Sequence, residues 1–193
     1  MDEDGIRDLR NYVGGCFVKH DGSEWMDVLE PATGARFARL PLSVSNDVDA
    51  AVEAARVAQP GWAALGMDAR ADWLDKIADS LEASFDEIAK LESRDTGKPI
   101  SLAKAVDANR SVANFRFFAG LIREQEQETF EMDDATNYVV NRPVGVGALI
   151  TPWNLPLYLL SWKVAPAIGM GNTVVCKPSE LTPMTADLLM RVI

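Results

Sequence analysis

The chain has 193 residues, 48% hydrophobic and 25% charged, with a formal net charge of −10 and a pI near 4.6. That length suits one domain with a sizeable core, and the acidic balance argues against nucleic acid or an anionic membrane as partner, since both require basic patches. Cys16, Cys176 and a single histidine, His20, are too few for a disulfide framework or a Cys/His metal centre, so no metal is expected.

Residues 1–42 predict short strands and turns. Tyr12–Val18 reads as strand material in which Gly14-Gly15 permits a bulge or close packing. Trp25–Glu30 and Ala35–Leu40 flank a turn at Pro31-Ala32-Thr33-Gly34. Ser45 or Asn46 can cap a helix carrying Val48, Ala51, Val52, Ala55 and Ala58, and Pro60-Gly61 stops it. Asp68 caps the next helix, whose apolar stripe is Trp73, Leu74, Ile77, Leu81, Phe85 and Ile88, and Thr96-Gly97-Lys98-Pro99 ends it. A further helix runs from Pro99 to about Arg123 with Val106, Val112, Phe115, Phe118 and Ile122. After an acidic stretch, Thr129–Met132 and Asn137–Asn141 alternate around Asp133-Asp134-Ala135-Thr136, the pattern of a β-hairpin. Such a hairpin is marginal alone, and its edges call for cover, for instance by another chain.

Residues 144–180 differ in character. Only Lys163, Lys177 and Glu180 carry charge there. Gly145–Ile150 predicts a buried strand, Leu155–Gly169 a buried helix and Thr173–Cys176 a second buried strand: a parallel βαβ unit covered on both faces. The run is broken by Pro152, Asn154, Pro156, Lys163 and Pro166, so it is not a membrane span. Ligands of such units bind outside the carboxyl ends of the strands, where the loops 151–154 and 177–180 both fall. A last helix starts near Pro183. No basic segment followed by an apolar one opens the chain, so a reducing, cytoplasmic setting is expected.

Several side chains in this region admit two readings. The Asn154 amide can donate to an oxygen that gathers negative charge, or it can cap the helix that follows. Lys163 can lose its proton readily in an apolar setting and relay protons, or it can snorkel or pair with a carboxylate. Lys177 and Glu180 can grip the hydroxyls of a ribose, or simply line a solvated loop. Gly145-Val146-Gly147 lacks the third glycine of a dinucleotide fingerprint, because Ile150 stands there, and fits close strand packing instead. Trp153 and Trp162 read as core or cofactor wall. Cys176 reads as a small hydrophobe in a buried strand, with Lys177 on the opposite face, and is rejected as a nucleophile. Cys16 has no base near it in sequence.

Ile150-Thr151-Pro152-Trp153-Asn154 with Pro156, Trp162-Lys163 with Pro166, and Gly171–Val175 leading into Lys177-Pro178-Ser179-Glu180 resemble, in order and spacing, the aldehyde dehydrogenase superfamily. The resemblance is nearest to the branch acting on aminomuconate or hydroxymuconate semialdehyde. It implies an α/β fold with an incomplete Rossmann-like cofactor-binding domain, preceded by N-terminal strands and helices, with residues 124–142 as an oligomerisation arm. It implies NAD as cofactor, laid along Ile150, Thr151, Pro152 and Trp153, with its adenosine ribose on Lys177 and Glu180 and with Pro178 and Ser179 nearby. It implies Asn154 as oxyanion-hole donor and Lys163 as proton relay, whose carboxylate partner would follow residue 193. Asp95 resembles a position that helps hold a monovalent cation in some relatives, against the simpler reading of a surface carboxylate. An acidic group at Glu180 would repel a 2′-phosphate, which favours NAD over NADP.

The same resemblance implies a small aldehyde substrate, attacked at its carbonyl by a cysteine thiolate, with a glutamate to activate water, and a homo-oligomer. The nucleophile, the glutamate and the glycine-rich cofactor turn follow the matched region in the family, so two expectations stand. The chain is the N-terminal part of an NAD-dependent aldehyde dehydrogenase, inactive alone, or it is a non-catalytic product that associates with full-length subunits through 124–142.

Overall fold

The computed structural model describes residues 6–193; residues 1–5 lie outside it. The N-terminal strands are β1 (Arg7–Asp8), β2 (Asn11–Val13), β3 (Cys16–Val18), β4 (Trp25–Leu29) and β5 (Arg36–Pro41). β5 lies between β1, parallel to it, and β4, antiparallel to it. β2 and β3 form a separate hairpin. Gly14 and Gly15, with φ of 61° and 86°, are its turn rather than a bulge within one strand. Both angles lie in the left-handed region that residues with a Cβ avoid.

α1 (Ser45–Ala63) begins without the expected Ser45 or Asn46 cap. Val44 occupies the cap position, and its backbone N–H donates to Asp47 Oδ2 at 2.8 Å. Pro60-Gly61 does not end the helix. Trp62 Nε1 donates to Ile168 O at 2.8 Å and Gln59 Nε2 to Gly171 O at 3.3 Å, which anchors the last turn. Losing the one N–H that proline lacks is offset there by these tertiary bonds.

The next helical run is two helices, α2 (Met67–Ala83) and α3 (Phe85–Thr96), broken at Ser84. Gly66, not Asp68, sits at the cap of α2. Leu74, Leu81 and Ile88 are buried as the stripe requires, but Trp73 is exposed, with Lys76 Nζ 4.3 Å from its ring centroid. α3 ends on Gly97, whose φ of 77° closes the last turn. α4 (Ile100–Leu102), a π-helical turn (Ala103–Ala108) and α5 (Asn109–Arg123) make up the helix predicted as one piece.

β6 (Thr129–Glu131) and β7 (Thr136–Tyr138) form the expected hairpin, exposed throughout. Then come β8 (Val146–Ile150), α6 (Pro156–Gly169), β9 (Thr173–Lys177) and α7 (Met184–Val192). β8 and β9 pair in parallel, with Val146 opposite Thr173 and Ile150 opposite Lys177. The expectation of cover on both faces fails: Ala148, Ile150, Cys176 and Lys177 are exposed, and no further strand joins the pair among the described residues.

The main core lies among the helices. Leu74, Leu81, Ile88, Phe115, Leu157, Leu160 and Leu189 pack together from α2, α3, α5, α6 and α7. Each such side chain contributes on the order of 2 kcal/mol by leaving water. A smaller cluster of Leu9, Val28, Phe37, Ala38 and Met184 seats the N-terminal sheet against α7. Between them these clusters fix the βαβ unit against α2 and α3.

Candidate functional site

The parallel register places the carboxyl ends of β8 and β9 side by side. Thr151 N donates to Lys177 O at 3.2 Å, extending the ladder by one bond into the loops. Thr182 Oγ1 donates to Trp153 O at 3.3 Å, joining the second loop to the first. Residues 150–154 and 177–180 therefore share one edge of the sheet.

The predicted residues differ in what they present there. Ile150 and Trp153 are exposed, at 65% and 58%, giving the edge an apolar surface. Pro152 and Asn154 are exposed as well, whereas Thr151 is buried. Asn154 is not the helix cap; Leu155 holds that position, and Pro156 opens α6. The Asn154 amide thus has no capping duty.

Lys163 does not have the desolvated setting its apolar neighbours predict. It is exposed, and its Nζ reaches across to donate to the Ile150 carbonyl. Lys177 Nζ and Glu180 Oε2 lie 2.6 Å apart, with side chains 62% and 46% exposed. The lysine's hydrogen bond holds the Glu180 carboxyl below its ordinary range. Pro178 is half-buried; Ser179 is buried, and its Oγ accepts from Leu181 N at 3.2 Å, shaping the loop rather than facing outward. Cys176 is exposed rather than in a covered strand. Protein crowding nonetheless pushes its thiol up to about 11, away from the thiolate that nucleophilic attack needs.

Beneath these loops lies a set of buried acidic groups, of which the sequence pointed only to Asp95. Glu92 is fully buried; its Oε1 accepts from Leu157 N at 2.9 Å and from Thr185 Oγ1 at 2.9 Å. Asp95, expected on the surface, is buried, and its Oδ2 accepts from Met184 N at 3.0 Å. Asp107, in the π-helical turn, is fully buried and pairs with Lys98 Nζ at 2.8 Å. Lys98 Nζ also donates to Asn154 O at 3.2 Å, tying that loop to α3 and the turn. Burial pushes Glu92 up to about 7, helped by the charge of Asp107, and burial pushes Asp95 up to about 7. One signal was available: Glu92 follows Ile88 by four residues, so it continues the stripe Leu81, Phe85, Ile88 on the buried side of the helix.

A cavity of about 390 Å³ opens beside Asn154, lined by residues of 96–98, Leu102, Val106, Asp107 and 153–155. It lies on the Asn154 side of the edge; residues 177–180 do not line it. The edge thus offers an exposed donor–acceptor pair at one loop, an apolar shelf at the other, and a side-chain amide above a cavity.

Residues 17–193 match the model of the aldehyde dehydrogenase family. The chain is 47% identical to 2-aminomuconic semialdehyde dehydrogenase of Bos taurus over 98% of its own length and 39% of that protein's. It is 44% identical to 2-hydroxymuconic semialdehyde dehydrogenase of Pseudomonas sp. (strain CF600), over 95% and 39% respectively. Among solved structures, lactaldehyde dehydrogenase of Escherichia coli superposes with a TM-score of 0.92 at 35% identity, covering 97% of this chain and 39% of that one. PnpE from Pseudomonas sp. WBC-3 in complex with nicotinamide adenine dinucleotide superposes at 0.89 and 40% identity, over 95% and 39%. The chain thus spans about two fifths of the length of these relatives, and its α/β architecture is part of their fold. It belongs to the aldehyde dehydrogenase family.

Proposed function

We propose that this chain is the nucleotide-holding part of an NAD-dependent enzyme that oxidises a small aldehyde, a semialdehyde of the muconate type, to its carboxylic acid. The observation that carries the reading is the shared edge: Ile150 stands opposite Lys177 in a parallel pair, so both loops meet where α/β sheets bind nucleotides. The residues present fit NAD. Lys177 donates and Glu180 accepts, the pair that a ribose diol needs. Their present bond joins two largely exposed side chains and is worth roughly 0–1 kcal/mol, so hydroxyl groups can replace it at little cost. Ile150 and Trp153 offer apolar surface along the same edge. NAD, when bound, supplies the electron acceptor for the oxidation.

Asn154 donates its amide to the aldehyde oxygen as charge builds there, a contribution on the order of 10²–10³ in rate. The adjoining cavity has the size of a small-molecule site. Lys163 moves a proton at the mouth of the crevice, and its bond to the Ile150 carbonyl holds its ammonium at that end of β8. Cys16 and Cys176 are not the nucleophile, and the cysteine and glutamate of the reaction belong to the family's remaining length. The exposed hairpin favours a second role in assembly, in which 124–142 pairs this chain with another copy or with a full-length subunit.

The test is a calorimetric titration with NAD and with NADP. NAD binds more tightly, and Glu180→Gln narrows the difference by removing the charge that repels a 2′-phosphate. Tighter binding of NADP to the unaltered chain refutes the assignment of Glu180.

A further inference from the structure

α6 and α7 each start without a local cap. Leu155 and Pro183 occupy the cap positions, and neither has a side-chain acceptor. Pro156, the first residue of α6, has no N–H, so the first amide that needs a partner belongs to Leu157. That partner is Glu92 Oε1, reaching in from α3, and the same oxygen takes the hydroxyl of Thr185 in the first turn of α7. One buried carboxylate oxygen therefore joins the starts of two helices. α6 follows the loop that ends at Leu155, and α7 follows the loop 178–183.

We propose that Glu92 is a positioning residue of the nucleotide crevice: it caps α6 and bridges to α7 from outside both loops, and so sets the spacing between residues 150–154 and 177–180. Their role in holding the nucleotide rests on the function proposed above. Stability alone gives a poor reason for the residue. A serine or threonine at 155 would cap α6 locally, without burying a carboxylate. Glu92 is instead wholly buried, and its second oxygen, Oε2, has no hydrogen-bond partner. Moving the cap to α3 leaves position 155 free to line the cavity with leucine. Lys98, just past the end of α3, completes the hold by donating to Asn154 O.

The experiment compares Glu92→Leu, Glu92→Gln and Thr185→Val in the 193-residue chain, reading amide hydrogen exchange segment by segment and NAD affinity in parallel. Glutamine keeps a carbonyl acceptor at the Oε1 position, whereas leucine has none. In Glu92→Leu, exchange speeds up by about tenfold at 155–160 and 182–187, the size of one lost buried hydrogen bond, while α1 and the N-terminal sheet hold their protection. Affinity for NAD falls by about the same factor. Glu92→Gln restores both to within about threefold, which a role confined to its charge would not do. Should Glu92→Leu fail to fold, Thr185→Val carries the test, with faster exchange confined to 182–187. Unchanged exchange in both segments, or a uniform rise over the whole chain, overturns the proposal. Local loss of protection in a chain whose unaltered form binds no nucleotide leaves the positioning in place and refutes the nucleotide reading instead.

Discussion

Burial raises Glu92 and Asp95 to about 7, so each keeps its proton in the fold over a range in which the unfolded chain, with ordinary values of 4.5 and 3.8, has released it. The folded state then binds more protons, and stability falls as pH rises from about 4 to 7, by at most roughly 1.4 kcal/mol per unit for each group. Above 7 the effect is complete. At the acid end the sign reverses. The hydrogen bond from Arg39 lowers Asp8 and the Val44 amide lowers Asp47, and that stability is lost as the pH falls through their values. Urea midpoints are therefore higher at pH 5 than at pH 8, and Glu92→Gln shrinks the difference; a midpoint that climbs between those values contradicts the assignment. At this scale the sequence singled out Asn154, Lys177 and Glu180 as candidates, because each interrupts an apolar run. It concealed the burial of Glu92 and Asp95, because an acidic residue within a helix reads as a solvated face until the stripe it continues is traced. At Lys163 the apolar setting expected from its neighbours is missing, because Val164 and Ala165 turn inward on α6 and leave the lysine exposed.

Helix ends were less legible than helix interiors. Periodicity located α6 and the end of α5 within a residue or two, since burial repeats every three or four positions, but it ran α4, the π-helical turn and α5 together. It did not show the break at Ser84, which interrupts no apolar spacing. Nor did it show that α1 passes Pro60, because the bonds from Trp62 and Gln59 to the 168–171 segment come from far along the chain. Gly169 shows how tightly these elements meet. A Cβ there would lie 2.0 Å from Ile122 Cδ1 and 3.2 Å from Leu74 Cδ1, at the junction of α2, α5 and α6. Gly169→Ala therefore destabilises the chain by about 1–3 kcal/mol, seen as a lower thermal midpoint with far-UV ellipticity retained. An unchanged or higher midpoint would show that Ile122 can turn away freely.

The molecule as a whole is an α/β unit with one sheet left open. Ala148, Ile150 and Cys176 look outward, and the hairpin carries Phe130, Met132 and Tyr138 at 56%, 62% and 60% exposure. Among the described residues no helix is long and apolar enough to cross a membrane. Exposed strands of this kind pair with other strands. The chain should sediment as more than a monomer at micromolar concentration, and Phe130→Lys with Tyr138→Lys should shift it toward the monomer; a monomer in both forms removes the hairpin from assembly. The parallel βαβ unit was readable in the sequence because its apolar run, with Lys163 the one charge before Lys177, has few alternatives. Its bare face was not, because a covered strand and an open one share the same composition.

The most direct test of the shared edge is to titrate NAD into isotopically labelled chain and map the backbone amide shifts. The largest changes fall at 150–154 and 177–180 together, and Lys177→Ala weakens binding. Changes confined to one loop, or centred elsewhere on the fold, would contradict that reading of the edge.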